Sequence, residues 1–358
     1  MPNTVTGNVI VNNSAGLLFN FGKAVNTPGS FIVKSGSSVS FGTGIGGNTY
    51  NLTGTGNFIA ESGSTLIITS SNGIAADINS GNIRMSGTRT FGSGVNYSFT
   101  KSDAVNASNF GASFGSEISS INNLTINNPM GARMPTNITV GGTLNLLTGI
   151  LKTFGNKVTL ASGATIYKPD TSSSPSFVAG ILEKAIGTGS SSVNFEIGDS
   201  TGNYRPVTVT LNGVTTGGNL AASVTQVAGN HPSFSGSGLI SGRSLTRYFT
   251  ITNTGIDFNN YSATFNYVAA DVPSGANTSN FVVAKYSGSS WSLPTVGTKT
   301  STSIQVTGVN SFSDFAIGEA CVAPNSASAS NNGPLCAGAT LNLTSSVSGD
   351  PAPTYSWS

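Results

Sequence analysis

The sequence predicts an all-β protein with a repetitive parallel half followed by a non-repetitive antiparallel half. Three observations lead to that class. Charged residues fill 8% of the 358 positions, against about 25% in an ordinary soluble domain. Gly, Ser, Thr and Asn make up about half of the chain, while aromatic residues still reach 8% and apolar ones 37%. A disordered polar tract would lack those aromatics, and small polar residues mixed with Val, Ile, Leu and Phe favour strands and tight turns over helices. Finally, one segment recurs without a gap. FIVKSGSSVSF at 31–41 aligns with FIAESGSTLII at 58–68, and VTLASGATIYK at 158–168 fits the same template.

Each copy has two short alternating arms around a Ser-Gly corner. Phe31, Val33, Val39 and Phe41 share one face in the first copy, and Phe58, Ala60, Leu66 and Ile68 share it in the second. In the third, Val158, Leu160 and Ile166 keep the pattern, but Lys168 replaces the last apolar residue and Pro169 follows, which reads as the end of the array. IRMSGTRTF at 83–91, NLTINN at 123–128 and ITVGGTLNLL at 138–147 supply weaker strands of the same kind. Short alternating pieces separated by Gly or Asn predict many short strands. One such coil cannot bury its apolar face alone, whereas stacked coils share a core. Residues 1–170 are therefore expected to form a parallel β-helix, with a stack of antiparallel hairpins as the alternative.

DTSSSPS at 170–176 reads as a linker. Longer strands without repetition follow: FVAGILEKAI (177–186), SVNFEI (192–197), PVTVTLN (206–212), LAASVTQV (220–227), TRYFTITN (246–253), YSATFNYV (261–268), FVVAKYSG (281–288), SIQVTGV (303–309) and FSDFAIG (312–318). Nine strands at regular spacing predict an antiparallel β-sandwich over 177–319. Tyr286 and Trp291 flank the turn SGSS and are expected in a hairpin packed on the core. Residues 320–358 read as a flexible spacer and the opening of an immunoglobulin-like domain, with strands at LNLTSS and TYSWS and Trp357 as its core aromatic. The first residues carry neither the basic nor the apolar region of a secretory signal, and the last stop within a strand. Both are expected of a fragment with further domains beyond it.

LTINN (124–128), TLNLLTGILKT (143–153), FVAGILEK (177–184), GNYRPVTVTL (202–211), LTRYFTIT (245–252), SSWS (289–292), FSDFAIG (312–318) and GPLCAGATLNLT (333–344) occur in that order. In this succession the chain resembles the large, repeat-rich surface proteins and adhesins exported by Bacteroidetes-type bacteria, often by type IX secretion. The resemblance implies an extracellular or cell-surface location and a long array of modules, and it transfers no active-site motif. Cys321 and Cys336 are candidates for a disulfide in such a setting. They either bridge each other, or Cys336 pairs with a cysteine beyond the fragment, as is typical of the resembled modules.

No catalytic, cofactor-binding or metal-binding residue is assigned. His231, the one histidine, lies in the loop-like GNHPSF and reads as solvated, with no carboxylate neighbour in sequence and no nucleophile elbow. One His and two Cys do not make a conventional zinc site. Glycan cleavage needs convergent carboxylates, and Glu61, Asp77, Asp103, Glu117 and Asp170 are not spaced to meet on one coil face. Asp199-Ser200-Thr201-Gly202 reads as a turn, with Glu196 and Asp199 as a weaker calcium-loop alternative. No cluster of Lys or Arg offers a footprint for nucleic acid, and no apolar run reaches the ~20 residues of a membrane span. The expectation is a non-catalytic structural and adhesive segment meeting a glycan or extracellular matrix. A β-helix carbohydrate-active enzyme and a passive stalk are the alternatives.

Overall fold

Each Ser-Gly corner turns the chain between two short strands. The computed structural model describes residues 4–19, 23–26, 28–42, 50–70, 72–74, 80–100, 112–113, 115–169, 176–321 and 326–348. Ser30–Val33 passes through Gly36 into Ser38–Phe41, and Asn57–Ala60 passes through Gly63 into Thr65–Ile68. Gly36 and Gly63 have φ of 75° and 84°, a left-handed conformation that glycine adopts without steric cost. Asp77, Asp103, residues 170–175 of the expected linker, and Trp357 with its strand lie outside the described residues.

The copies lie side by side. Phe31 is in parallel register with Phe58, and Val39 with Leu66. Lys34 Nζ reaches Glu61 Oε1 at 2.5 Å, 27 positions along the chain. The first half holds two four-stranded parallel sheets and a seven-stranded parallel sheet. The seven run in order from Thr165–Tyr167 through Thr143–Thr148, Leu124–Asn127, Asn96–Thr100, Thr65–Ile68 and Ser38–Phe41 to Leu17–Phe19. Inward residues alternate with outward ones, as the pleat requires. Phe31, Val33, Val39, Phe41, Phe58, Leu66 and Ile68 are buried, and the rings of Phe31 and Phe58 stack with centroids 6.1 Å apart. Thr165–Tyr167 is the last strand of its sheet. Just beyond it, Lys168 Nζ sits 4.2 Å from the Tyr204 ring centroid and 3.7 Å from Glu196, where a polar end group replaces the apolar residue of earlier copies.

The strands on either side of the expected linker are neighbours in one sheet. Leu151–Leu160 pairs in parallel with Val178–Ile186, which pairs on its other edge with antiparallel Gly218–Gln226. The same twelve-stranded sheet continues through Leu239–Thr254, Asp314–Ala320, Phe281–Tyr286 and Trp291–Ser292. A five-stranded antiparallel sheet (Gly189–Phe195, Val207–Val214, Asn260–Asn266, Ser303–Val309, Thr295–Lys299) faces its antiparallel half. Phe265 lies 5.0 Å from both Phe249 and Phe315, ring to ring, and all three are buried. The strand expected at 192–197 divides at Glu196. Gly189–Phe195 belongs to the five-stranded sheet, and Ile197–Gly198 pairs with Val178–Ile186.

Tyr286 and Trp291 do pair across a hairpin. Past Cys321, Ser326–Asn331 and Leu343–Ser348 form a two-stranded antiparallel ribbon. Among the described residues, helix is confined to the single turns Ala269–Asp271 and Thr278–Asn280, so none is long and apolar enough to cross a membrane.

Candidate functional site

The sheet is irregular where its parallel strands meet its antiparallel ones. In Leu151–Leu160, Lys152 pairs with Ala179 and Lys157 with Ile181, so Thr153–Asn156 stands opposite Gly180 alone. Such bulges re-aim side chains and often border functional sites. Phe154 has φ of 50° and is the non-glycine residue at positive φ among the described residues. For a bulky side chain that conformation costs roughly 1–3 kcal/mol. The ring is nevertheless 58% exposed, so core burial does not compensate.

Phe154 divides two hollows. One, of about 320 Å³, is lined by Lys152, Thr153, Gly180, Ser200, Thr225 and Gln226 together with Ala179 and Val224. The other, of about 410 Å³, lies among Arg133, Met134, Pro135 and Asn156. The Arg133 guanidinium carbon sits 4.7 Å from the Phe154 ring centroid, within cation–π range. Asn156 Nδ2 donates to Met134 O at 3.1 Å, which holds the far limb of the bulge. The preceding residue, Thr153, is fully buried, and its Oγ1 has no hydrogen-bond partner. A Cβ on Gly180 would overlap that oxygen, so only glycine fits there.

The rim rests on a buried charge network. Arg205 Nη2 donates to Asp271 Oδ1 at 2.7 Å, and its Nε donates to the other oxygen. Arg247 donates from Nη1 to Asp199 Oδ2 and from Nη2 to Asp271 Oδ1, each at 2.5 Å. All four residues are at most 4% exposed, and two cations balance two anions. Asp199 Oδ1 also accepts from the Thr201 and Asn203 amides at 3.0 and 3.1 Å, forming the turn expected at 199–202 and placing Ser200 on the rim. Burial would raise the Asp199 pKa, but the Thr201 hydroxyl, the Asn203 amide and Arg247 outweigh it and hold the carboxyl below its ordinary range. The calcium alternative does not survive this arrangement. Asp199 is taken by Arg247, and Glu196 accepts from the Tyr204 hydroxyl and Asn194 Nδ2.

His231 is not a solvated loop residue. It is 7% exposed and lies among Tyr248, Tyr286 and Trp291, with ring centroids 4.6, 5.3 and 5.0 Å away. Its carboxylate neighbour, Asp314, is 83 positions distant in sequence and 3.2 Å from Nε2. Nδ1 accepts from the Ser233 amide at 3.1 Å, so Nε2 carries the proton that is donated to Asp314. Thr250 Oγ1 takes the other oxygen of Asp314 at 2.6 Å, and Trp291 Nε1 donates to Ser233 O at 2.7 Å. With both ring nitrogens engaged, no lone pair is left for a general base. The cluster is a staple that fastens the 231–233 loop across the outer face of the sheet.

Other carboxylates are likewise held apart. Glu61 pairs with Lys34, Glu117 with Arg89, and Glu183 with Lys157. The described residues contain no group of three His, Cys, Asp or Glu able to hold a metal ion. Cys321 and Cys336 are both free and exposed, without a bridge between them. Phe154, Arg133, Thr153 and Gly180 escape a sequence reading. The available signal is an aromatic-glycine step between two lysines, in LKTFGNK at 151–157. The chain matches no family model, no curated protein and no solved structure.

Proposed function

We propose that this chain is a non-catalytic, extracellular segment of a large exported surface protein of the repeat-rich adhesin type. Its parallel half is a β-helix and its antiparallel half a β-sandwich, followed by the start of an immunoglobulin-like module. The adhesive point is the cleft at Phe154, which takes a glycan of a matrix or host surface. The observation that carries this reading is Phe154 itself. A large aromatic held at a costly backbone angle and left exposed between two hollows contributes little to the fold, and strain of that kind concentrates at binding sites. A hollow of about 320 Å³ falls in the size range of small-ligand pockets. The ring and the Ala179, Gly180 and Val224 surface suit the C–H face of a sugar, while Ser200, Thr225 and Gln226 suit its hydroxyls.

The repeated half supports a supporting rather than a catalytic role. One outward row of the seven-stranded sheet reads Leu18, Ser40, Ile67, Ser98, Thr125, Asn145 and Tyr167 in register. That row carries no acid or base, whereas a β-helix enzyme would need converging ionisable groups. Asn145 Nδ2 donates to Thr125 Oγ1 at 3.1 Å, so these polar side chains brace successive strands. The test is a glycan array and matrix-coated surface probed with the chain and with Phe154→Ala. Binding that Phe154→Ala weakens at least tenfold is expected. Absence of binding to every surface would refute adhesion and favour a passive stalk.

A further inference from the structure

The turn at 199–202 holds a hydroxyl between a carboxylate and a side-chain amide. Thr201 Oγ1 donates to Asp199 Oδ1 at 2.6 Å, and the same oxygen stands 2.8 Å from Gln226 Oε1. Asn203 Nδ2 donates to it at 2.8 Å. One hydroxyl hydrogen cannot serve two acceptors at once, and the charged carboxylate takes it. The Gln226 contact is then a close approach of a hydroxyl oxygen to an amide, with the amide carbon within about 4 Å. Turned end for end, the amide would donate to Thr201 and keep its carbon within the same reach. The two residues are 25 positions apart in sequence and come from the turn and from the end of Gly218–Gln226. Asp199 is fixed in place: it is 1% exposed, Arg247 Nη1 donates to its Oδ2 at 2.5 Å, and its Oδ1 accepts from the Thr201 and Asn203 amides. A hydroxyl bonded to a carboxylate that a third group orients is the arrangement of an activated nucleophile.

We infer that Thr201 and Gln226 become joined by an ester bond that the folded chain forms on itself. Thr201 Oγ1 adds to the side-chain carbonyl carbon of Gln226 while its proton passes to Asp199. The adduct then expels the amide nitrogen, which takes the proton back from Asp199 and leaves as ammonia. One O–C bond forms and one C–N bond breaks, with no oxidant, reductant or other co-reactant. Asp199 is held below its ordinary range and is a weak base for that reason. Each chain reacts only once, however, and fixed geometry supplies a high effective concentration of the hydroxyl at the amide. The bond ties the turn to the neighbouring strand end at the rim of the first hollow, where Ser200 and Gln226 both lie. It stands independently of whatever ligand the cleft takes.

The test is mass spectrometry of the full 358-residue chain, reduced and denatured, followed by peptide mapping. The intact mass is expected to fall short of the sequence mass by one ammonia. Digestion should give a branched peptide joining the segment that carries Thr201 to the one that carries Gln226. Mild alkali should part the two and leave a glutamate at position 226, as it does with an ester and not with an amide. Thr201→Ser should keep the cross-link, whereas Thr201→Val and Gln226→Ala should each restore the full mass, with circular dichroism checking that the variants fold. Two unlinked peptides with Gln226 intact would overturn the inference. So would an ammonia loss that maps to the Asn212-Gly213 or Asn332-Gly333 steps, where an asparagine side chain can close on the next backbone nitrogen.

Discussion

Replacing Phe154 with Ala and, separately, with Gly distinguishes what the ring contributes from what its backbone costs. The ring is 58% exposed, so less than half of a Phe burial energy is at stake, about 1 kcal/mol. The Arg133 contact adds about 0.5–1 kcal/mol. Both variants lose those terms. Alanine keeps the left-handed backbone, at about 1–2 kcal/mol. Glycine removes that cost and introduces about 0.5–1 kcal/mol of extra chain entropy in the unfolded state. The Gly variant should therefore be more stable than the Ala variant by roughly 0.5–1 kcal/mol, the reverse of the order at an ordinary strand position. Urea unfolding of the two variants, followed by circular dichroism, reads the difference. Both should lose glycan binding. An Ala variant as stable as the Gly variant, or more so, would refute the strained bulge and with it the reason for assigning a site there.

Three further outcomes follow from the packing. Arg247→Leu leaves Asp199 and Asp271 facing each other across a buried site with only Arg205 to offset them, and should cost about 3–5 kcal/mol; a thermal midpoint equal to wild type would show that the network is not coupled. Asp199 has a folded pKa below its ordinary value, so its stabilisation is fully present above about pH 3.9 and is lost as pH falls through the lowered value. Asp199→Asn should accordingly flatten the acid limb of stability below about pH 3.9 in urea titrations, and an unchanged limb would remove this carboxylate from the acid response. His231→Ala removes the acceptor for the Ser233 amide and the donor to Asp314, and should raise hydrogen exchange in the 231–233 loop at least tenfold with little change in the Phe249–Phe265–Phe315 core; exchange equal to wild type would contradict the staple.

Much of the architecture was legible in the chain because it depends on short-range chemistry. Alternation at 31–41 and 58–68 placed Phe31 and Phe58 on the inner face, and the Ser-Gly corners placed the turns at Gly36 and Gly63. The register of the paired copies follows, since a slip by one residue would expose that whole apolar set. The longer strands of the second half were found by the same alternation. The division of 192–197 was not, because a sheet switch at Glu196 leaves the local pattern unbroken.

The candidate site was hidden for a different reason. Its parts have ordinary local surroundings and acquire meaning only through partners far along the chain. In the sequence His231 looks solvated, because Asp314, Tyr248, Tyr286 and Trp291 are brought to it only by the tertiary fold. Arg133 and Lys152 meet by strand register, and Phe154 is held between the hollows by a bulge opposite Gly180. The sequence by itself determined an all-β chain with repeated corners and little charge, since backbone propensity and side-chain alternation act within a few residues. Only the tertiary structure decided which isolated charges and rings would stand together, because strand pairing brings distant positions into contact while leaving no periodic trace in either segment.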